Sequence, residues 1–156
     1  MRIIKFRGKR IDNNEWVYGF LYQLELLPYG GLGTMILTDD DNCESDVISP
    51  FNLAFRKGVD LFMVDKDTVG QFTGLHDKNG KEIYEGDIIK IVEKFDDENV
   101  YTSNGVVCFE EGIYEVQNGK HFAYLGWLMH NDDITKLEVI GNIHDDKNLL
   151  EEGGEQ

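Results

Sequence analysis

Four histidines, two cysteines and several acidic runs are the residues of this 156-residue chain that could carry chemistry. A zinc site needs ligands at short, regular spacing, such as paired Cys-x-x-Cys or His-x-x-x-His. His76, His121, His130 and His144 have no such companions, and Cys43 and Cys108 have no histidine beside them in sequence. Cys108 lies in an apolar segment and reads as an inert core thiol. Asp39, Asp40, Asp41, Glu44 and Asp46 could gather a divalent cation by charge alone, but such a run reads first as a solvated loop. Asp77-Lys78-Asn79-Gly80 evokes a calcium loop. Setting Gly80 at the sixth position puts Leu75 first and Gly86 twelfth, where an EF-hand needs a carboxylate at each. Gly30-Gly31-Leu32-Gly33 lacks the Lys-Ser/Thr that follows a phosphate loop. Acid–base catalysis would need folding to bring carboxylates such as Asp39, Asp87 and Asp132 to His130. No catalytic, cofactor-binding or metal-ligating residue is therefore expected, and the chain does not read as an enzyme.

Aromatic and basic residues offer a different chemistry, that of binding. Seven Tyr, nine Phe and two Trp make up 12% of the chain. Trp16, Tyr18, Phe20 and Tyr22 alternate, so in a strand all four point to one face. With Phe6 and Trp127 they form a candidate surface for a protein partner or for self-association. Arg2, Lys5, Arg7, Lys9 and Arg10 give the first ten residues a charge of +5, whereas the whole chain carries −15. An acidic body opposes sequence-independent binding of duplex. The alternation of Lys5, Arg7 and Lys9 with Ile4, Phe6 and Gly8 reads first as the solvated face of a strand. As the alternative, Arg2, Lys5, Arg7, Lys9 and Arg10 would contact phosphate, with Phe6, Trp16 and Tyr18 as a stacking platform for nucleic acid.

Short β segments separated by turn signals must position these residues. Strands are expected at Ile3–Lys9, Trp16–Tyr22, Thr34–Leu37, Val59–Val64, Ile88–Val92, Gly105–Phe109, Ile113–Val116 and Leu137–Ile143. The first two form a hairpin around Asp12-Asn13-Asn14. A helical turn is expected near 52–58, and otherwise helical periodicity is weak. The run Ile88-Ile89-Lys90-Ile91-Val92 predicts a strand covered on both faces. Asp77-Lys78-Asn79-Gly80 and Glu85-Gly86-Asp87 predict two tight reversals, with glycine supplying positive φ. Two reversals so close together point to a small curved barrel of the SH3-like kind. The fold class is mainly β (a β-rich α+β chain): an N-terminal β element at 1–63, an SH3-like barrel at 64–148 and a disordered tail at 149–156, with Asn148-Leu149-Leu150 starting that tail as a short capped turn. No apolar run approaches the ~20 residues of a membrane helix, and Met1–Lys5 does not read as a signal peptide. A soluble cytoplasmic protein with reduced thiols is expected.

The stretches Ile4–Arg10 with Trp16–Gly19, Val69–Leu75, Asp77–Asp87 and Val139–Ile143 together resemble the YopX family, in the right order over about residues 1 to 148. The central motif, Asp77-Lys78-Asn79-Gly80-Lys81-Glu82-Ile83-Tyr84-Glu85-Gly86-Asp87, is long and specific. The resemblance implies a small protein of phage or prophage origin with a β-rich fold. The family has no established biochemical activity, and the resemblance brings no catalytic or binding residue to carry over; no cofactor is expected. The segment Leu24–Asp65 carries the least of the family pattern.

Overall fold

The computed structural model describes residues 3–25, 32–39, 59–94, 96, 99–119 and 121–150. Expectations for Arg2, for the Gly-rich turn through Gly31, for the acidic loop beyond Asp39 with Cys43, for a helical turn at 52–58 and for 151–156 of the tail fall outside them, whereas Leu149 and Leu150, placed in the tail from sequence, belong to a 3-10 turn at Lys147–Leu150. The chain divides into two compact units, Met1–Gln71 and Phe72–Gln156. The boundary expected from sequence lay at 63/64.

The first unit is an antiparallel meander. Strands β1 (Phe6–Lys9), β2 (Trp16–Glu25), β3 (Leu32–Asp39) and β4 (Val59–Met63) lie in the order β4-β3-β2-β1. The β1–β2 hairpin closes where Arg10 N–H donates to Glu15 O at 2.9 Å and Asn14 takes φ 61°. Asparagine tolerates that left-handed conformation better than most residues. A 3-10 turn at Lys66–Thr68 follows β4, and the Thr68 hydroxyl accepts the Lys9 amide at 2.9 Å. Gly70 and Gln71, which open β5 (Gly70–His76), pair with Arg7 and Phe6. The core of the unit lies on the face of Val17, Gly19 and Leu21, where Ile36 is wholly buried and Val64 nearly so. Gly19 is fixed by close approach: a Cβ there would sit 1.9 Å from the Leu37 carbonyl oxygen.

The second unit continues β5 from Phe72 and adds β6 (Glu82–Tyr84), β7 (Asp87–Lys94), β8 (Val100–Glu110), β9 (Ile113–Asn118), β10 (His121–Tyr124), the helix α1 (Leu125–His130) and β11 (Ile134–Asn142). β5 pairs with β6, while five strands form a sheet in the order β10-β9-β8-β7-β11. Ile88 and Ile89 sit fully buried on opposite faces of β7, as the apolar run predicted. The core joins Ile83, Ile89, Val107, Val116, Ile134 and Leu137 to Leu125 and Leu128 of α1.

The fold is mainly β, but the expected SH3-like barrel is not closed. A barrel needs its first and last strands paired, whereas β10 and β11 remain the sheet's two edges. The reason lies in α1, which packs on β9, β10 and β11 and seats Leu125 and Leu128 where further strand pairing would otherwise bury apolar surface. Leu125 and Leu128 stand one turn apart, so one short turn of helix presents both. Six residues are too few to show a helical period in sequence.

Candidate functional site

Register brings the two sets of binding residues together. Lys9 pairs with Trp16 and Arg7 with Tyr18, so the basic side chains of β1 and the aromatic side chains of β2 share one sheet face. The ladder continues through Phe20–Leu37–Leu61 and Tyr22–Met35–Met63. Met35 and Leu37 are buried, while Tyr18, Phe20, Leu61 and Met63 are 44%, 54%, 42% and 39% exposed. An exposed apolar strip thus runs across β2 and β4.

The cations do not stand free in solvent on this face. The Arg7 guanidinium lies 4.8 Å from the Trp16 ring centroid and is only 6% exposed. Lys9 also lies over the Trp16 ring at 5.6 Å, and Lys5 over Tyr18 at 5.7 Å. Cation–π contacts of this kind contribute about 0.5–1 kcal/mol at exposed sites. The reading of this side of β1 as a solvated strand face is therefore corrected at Arg7, which is buried, while Lys5 and Lys9 stay part-exposed with their charged heads over aromatic rings.

Other candidates separate from this group. Phe6 pairs with Gly19 and points to the opposite face. Arg10 stacks on Phe62 at 4.2 Å, also on that opposite side, and is bound by the Asp12 carboxylate at 2.5 Å, which holds its charge. Trp127, 56% exposed, belongs to α1 in the second unit. Trp16, Tyr18, Phe20 and Tyr22 share one face, as their alternation required.

The densest sequence motif turns out to serve the backbone. The Asp77 carboxylate accepts the amides of Asn79 at 2.8 Å, Lys81 at 2.9 Å and Val139 at 3.1 Å. It thereby closes the Asp77–Lys81 turn and ties it to β11. Burial pushes the Asp77 carboxyl up, but the amides of Val139, Lys81 and Asn79 together hold it below its ordinary value. The Lys78 amine donates to the Ile134 carbonyl, a second tie from this turn to β11. At the next reversal the Asp87 carboxylate accepts the Tyr84 amide at 2.8 Å. Gly86 has φ +78°; its amide donates to Val107 O and its carbonyl accepts Ile143 N–H, both at 2.9 Å. Both predicted reversals are present, and the Asp77 and Asp87 carboxylates in them accept main-chain amides.

The YopX family profile, described as YopX protein, matches residues 5–151. The chain belongs to the YopX family. Its fold is similar to that in the crystal structure of protein EF1440 from Enterococcus faecalis, with a TM-score of 0.52 at 20% identity, over 96% of this chain and 99% of that one. No curated protein matches the sequence.

The residues of this YopX chain that could do chemistry are dispersed. His76 packs edge-on against Phe72, His130 Nδ1 lies 2.8 Å from Gly126 O, and His121 is exposed at the head of β10. Asp87 is buried in its turn while Asp132 is exposed in a loop. Among the described residues no three His, Cys, Asp or Glu side chains group as a metal site would require. Nor is any helix among them long and apolar enough to cross a membrane. The Cys108 thiol is raised to about 11, by burial first and then by Glu115, Glu110 and Glu85. A thiol so placed is a poor nucleophile near neutral pH.

Alternation within β1 and within β2 assigned each strand's faces. Which face of β1 met which face of β2 followed from the register of the polar hairpin loop, which sequence left open. Leu61 and Met63 were missed because their contribution depends on β4 lying beside β3.

Proposed function

We propose that this YopX chain is a non-enzymatic phage or prophage accessory protein, working in the host cytoplasm through protein–protein contacts or self-association. The exposed strip of Tyr18, Phe20, Leu61 and Met63 carries this reading. A strand face with large apolar side chains half in water is better suited to a partner than to solvent. Rigid aromatics on its β2 side are among the residue types that dominate binding energy at interfaces. The neighbouring Lys5 and Lys9, both part-exposed, add cationic charge beside the strip.

Light scattering after size exclusion, with affinity capture from phage-bearing cells, tests the proposal on the wild type and on a Tyr18→Ser/Phe20→Ser variant. The wild type is expected as an oligomer or in a reproducible complex, and the variant as a monomer that retains neither. A wild-type monomer with no specific partner would overturn it.

A second reading is favoured by the shared face of the basic and aromatic residues. Trp16 and Tyr18 flanked by Lys5, Arg7 and Lys9 match the stacking-plus-phosphate pattern of single-strand binders. Fluorescence anisotropy with single-stranded and duplex oligonucleotides at low and physiological salt tests it. Binding to the single strand that weakens with salt supports this reading, and no binding at low salt removes it.

A further inference from the structure

The second unit carries another aromatic face, of opposite charge. Across β8, β9 and β10 the register sets Cys108, Glu115 and Tyr124 in one row and Val106, Gln117 and Phe122 in the next, with Glu110 beside Ile113. These rows lie on the face opposite the core residues Val107 and Val116. Phe122 and Tyr124 are 60% and 50% exposed, with ring centroids 5.9 Å apart. Together with Glu110, Ile113, Glu115 and Gln117 they line an open cleft of about 280 Å³.

Glu115 sits at its floor. It is 7% exposed, and Gln117 Nε2 donates to its Oε1 at 2.6 Å, which fixes the carboxylate. Glu110, Glu111 and Glu115 all line the cleft and no Lys or Arg does, so its lining is acidic. β10 is an edge of the sheet, with no described strand on its far side.

We infer that this cleft is a docking site for an extended arginine-containing peptide. Arginine is the cation that fits. Its planar guanidinium stacks on aromatic faces and donates in a fork to a carboxylate, which lysine cannot do. An extended segment laid along β10 presents alternate side chains to one face of the sheet, so every second residue would reach the Phe122–Tyr124 walls. The carboxylates at the floor and rim complement its charge. The inference is independent of the first unit's aromatic strip and does not rest on the proposed function.

The test uses the full chain and a fluorescein-labelled peptide alternating glycine and arginine, titrated by anisotropy at physiological salt beside its lysine and glutamate counterparts. The arginine peptide is expected to bind best, the lysine peptide more weakly and the glutamate peptide not at all. Glu115→Gln and Phe122→Ala should each weaken arginine-peptide binding by about tenfold or more, the scale of one lost charged hydrogen bond or stacking contact. Phe122 is exposed, so its truncation leaves the fold intact and keeps the test valid if Glu115→Gln proves unstable. Tyr18→Ser/Phe20→Ser should leave this affinity unchanged, whatever it does to self-association. Asp132→Asn removes one exposed carboxylate outside the cleft and should also leave it unchanged. An equal loss in Asp132→Asn would mean that net charge alone attracts the peptide, and would overturn the inference. So would an absence of binding, equal binding of arginine and lysine peptides, or full binding by Phe122→Ala.

Discussion

Asp77–Asp87 and the aromatic face of β1–β4 are both rich in residues that chemistry could use, and they use them for opposite ends. In the turn stretch the Asp77, Lys78 and Asp87 side chains are spent on the chain itself. Asp77 holds three amides, Asp87 holds one, and the Lys78 amine caps a carbonyl. On the aromatic face, Tyr18, Phe20, Leu61 and Met63 remain exposed. A motif can therefore be the strongest mark of a family and still be architecture. The exposed apolar residues are spread over strands whose pattern is plain alternation.

That contrast breaks most readily at Asp77. Removing the carboxylate leaves the Asn79, Lys81 and Val139 amides without their acceptor and unties the turn from β11. Asp77→Ala should destabilise the protein by about 3 kcal/mol, within the range for losing charge-assisted bonds to buried donors. Urea denaturation checks it. A loss under about 1 kcal/mol would mean water replaces the carboxylate, and that the motif is not architectural.

Gly86 tests the same claim through conformation rather than hydrogen bonding. At φ +78° an L side chain is strained, yet a Cβ there would meet Ile143 Cγ1 at 3.5 Å, Ile143 Cδ1 at 3.6 Å and His144 Nε2 at 3.7 Å, all ordinary contacts. The cost of Gly86→Val is therefore conformational, about 1–3 kcal/mol. Gly86→Asn should cost less, because asparagine tolerates the left-handed region. Equal thermal midpoints for wild type, Val and Asn variants would show that this reversal does not need glycine.

How much of this was legible in advance follows from where each signal is stored. The positive φ at Gly80 and Gly86, the hairpin at Asp12–Asn14 and the doubly covered β7 are local matters that residue type decides. The open sheet was not legible, because it depends on α1, six residues whose only helical cue is Leu125 and Leu128 one turn apart. The charged rims of the two aromatic faces were equally hidden. Lys9 beside Trp16, and Glu115 beside Tyr124, are consequences of register between strands. Alternation within a strand says nothing of that.

Acid sharpens the comparison further. Asp77 is held below the ordinary carboxylate value of ~4, so its stabilisation is complete above that value. It is lost as pH falls through the lower folded value. The stability gap between wild type and Asp77→Asn should accordingly be constant near neutrality and narrow only below about pH 4. Paired urea titrations across that range check it. A gap that narrows between pH 5 and 7 would assign the dependence to another group.

The smallest expected effect on stability is at the aromatic face. Phe20 is more than half exposed, so its ring contributes little burial to the fold, and the backbone pairing of β2 with β3 survives its loss. Phe20→Ser should change stability by no more than about 0.5 kcal/mol, the usual range for surface substitutions. The same substitution should impair self-association or partner binding if the strip is an interface. Measured together, a stable fold with weakened association places Phe20 on the opposite side of the comparison from Asp77. A large loss of stability would instead make the aromatic strip part of the core, and the contrast between the two regions would vanish.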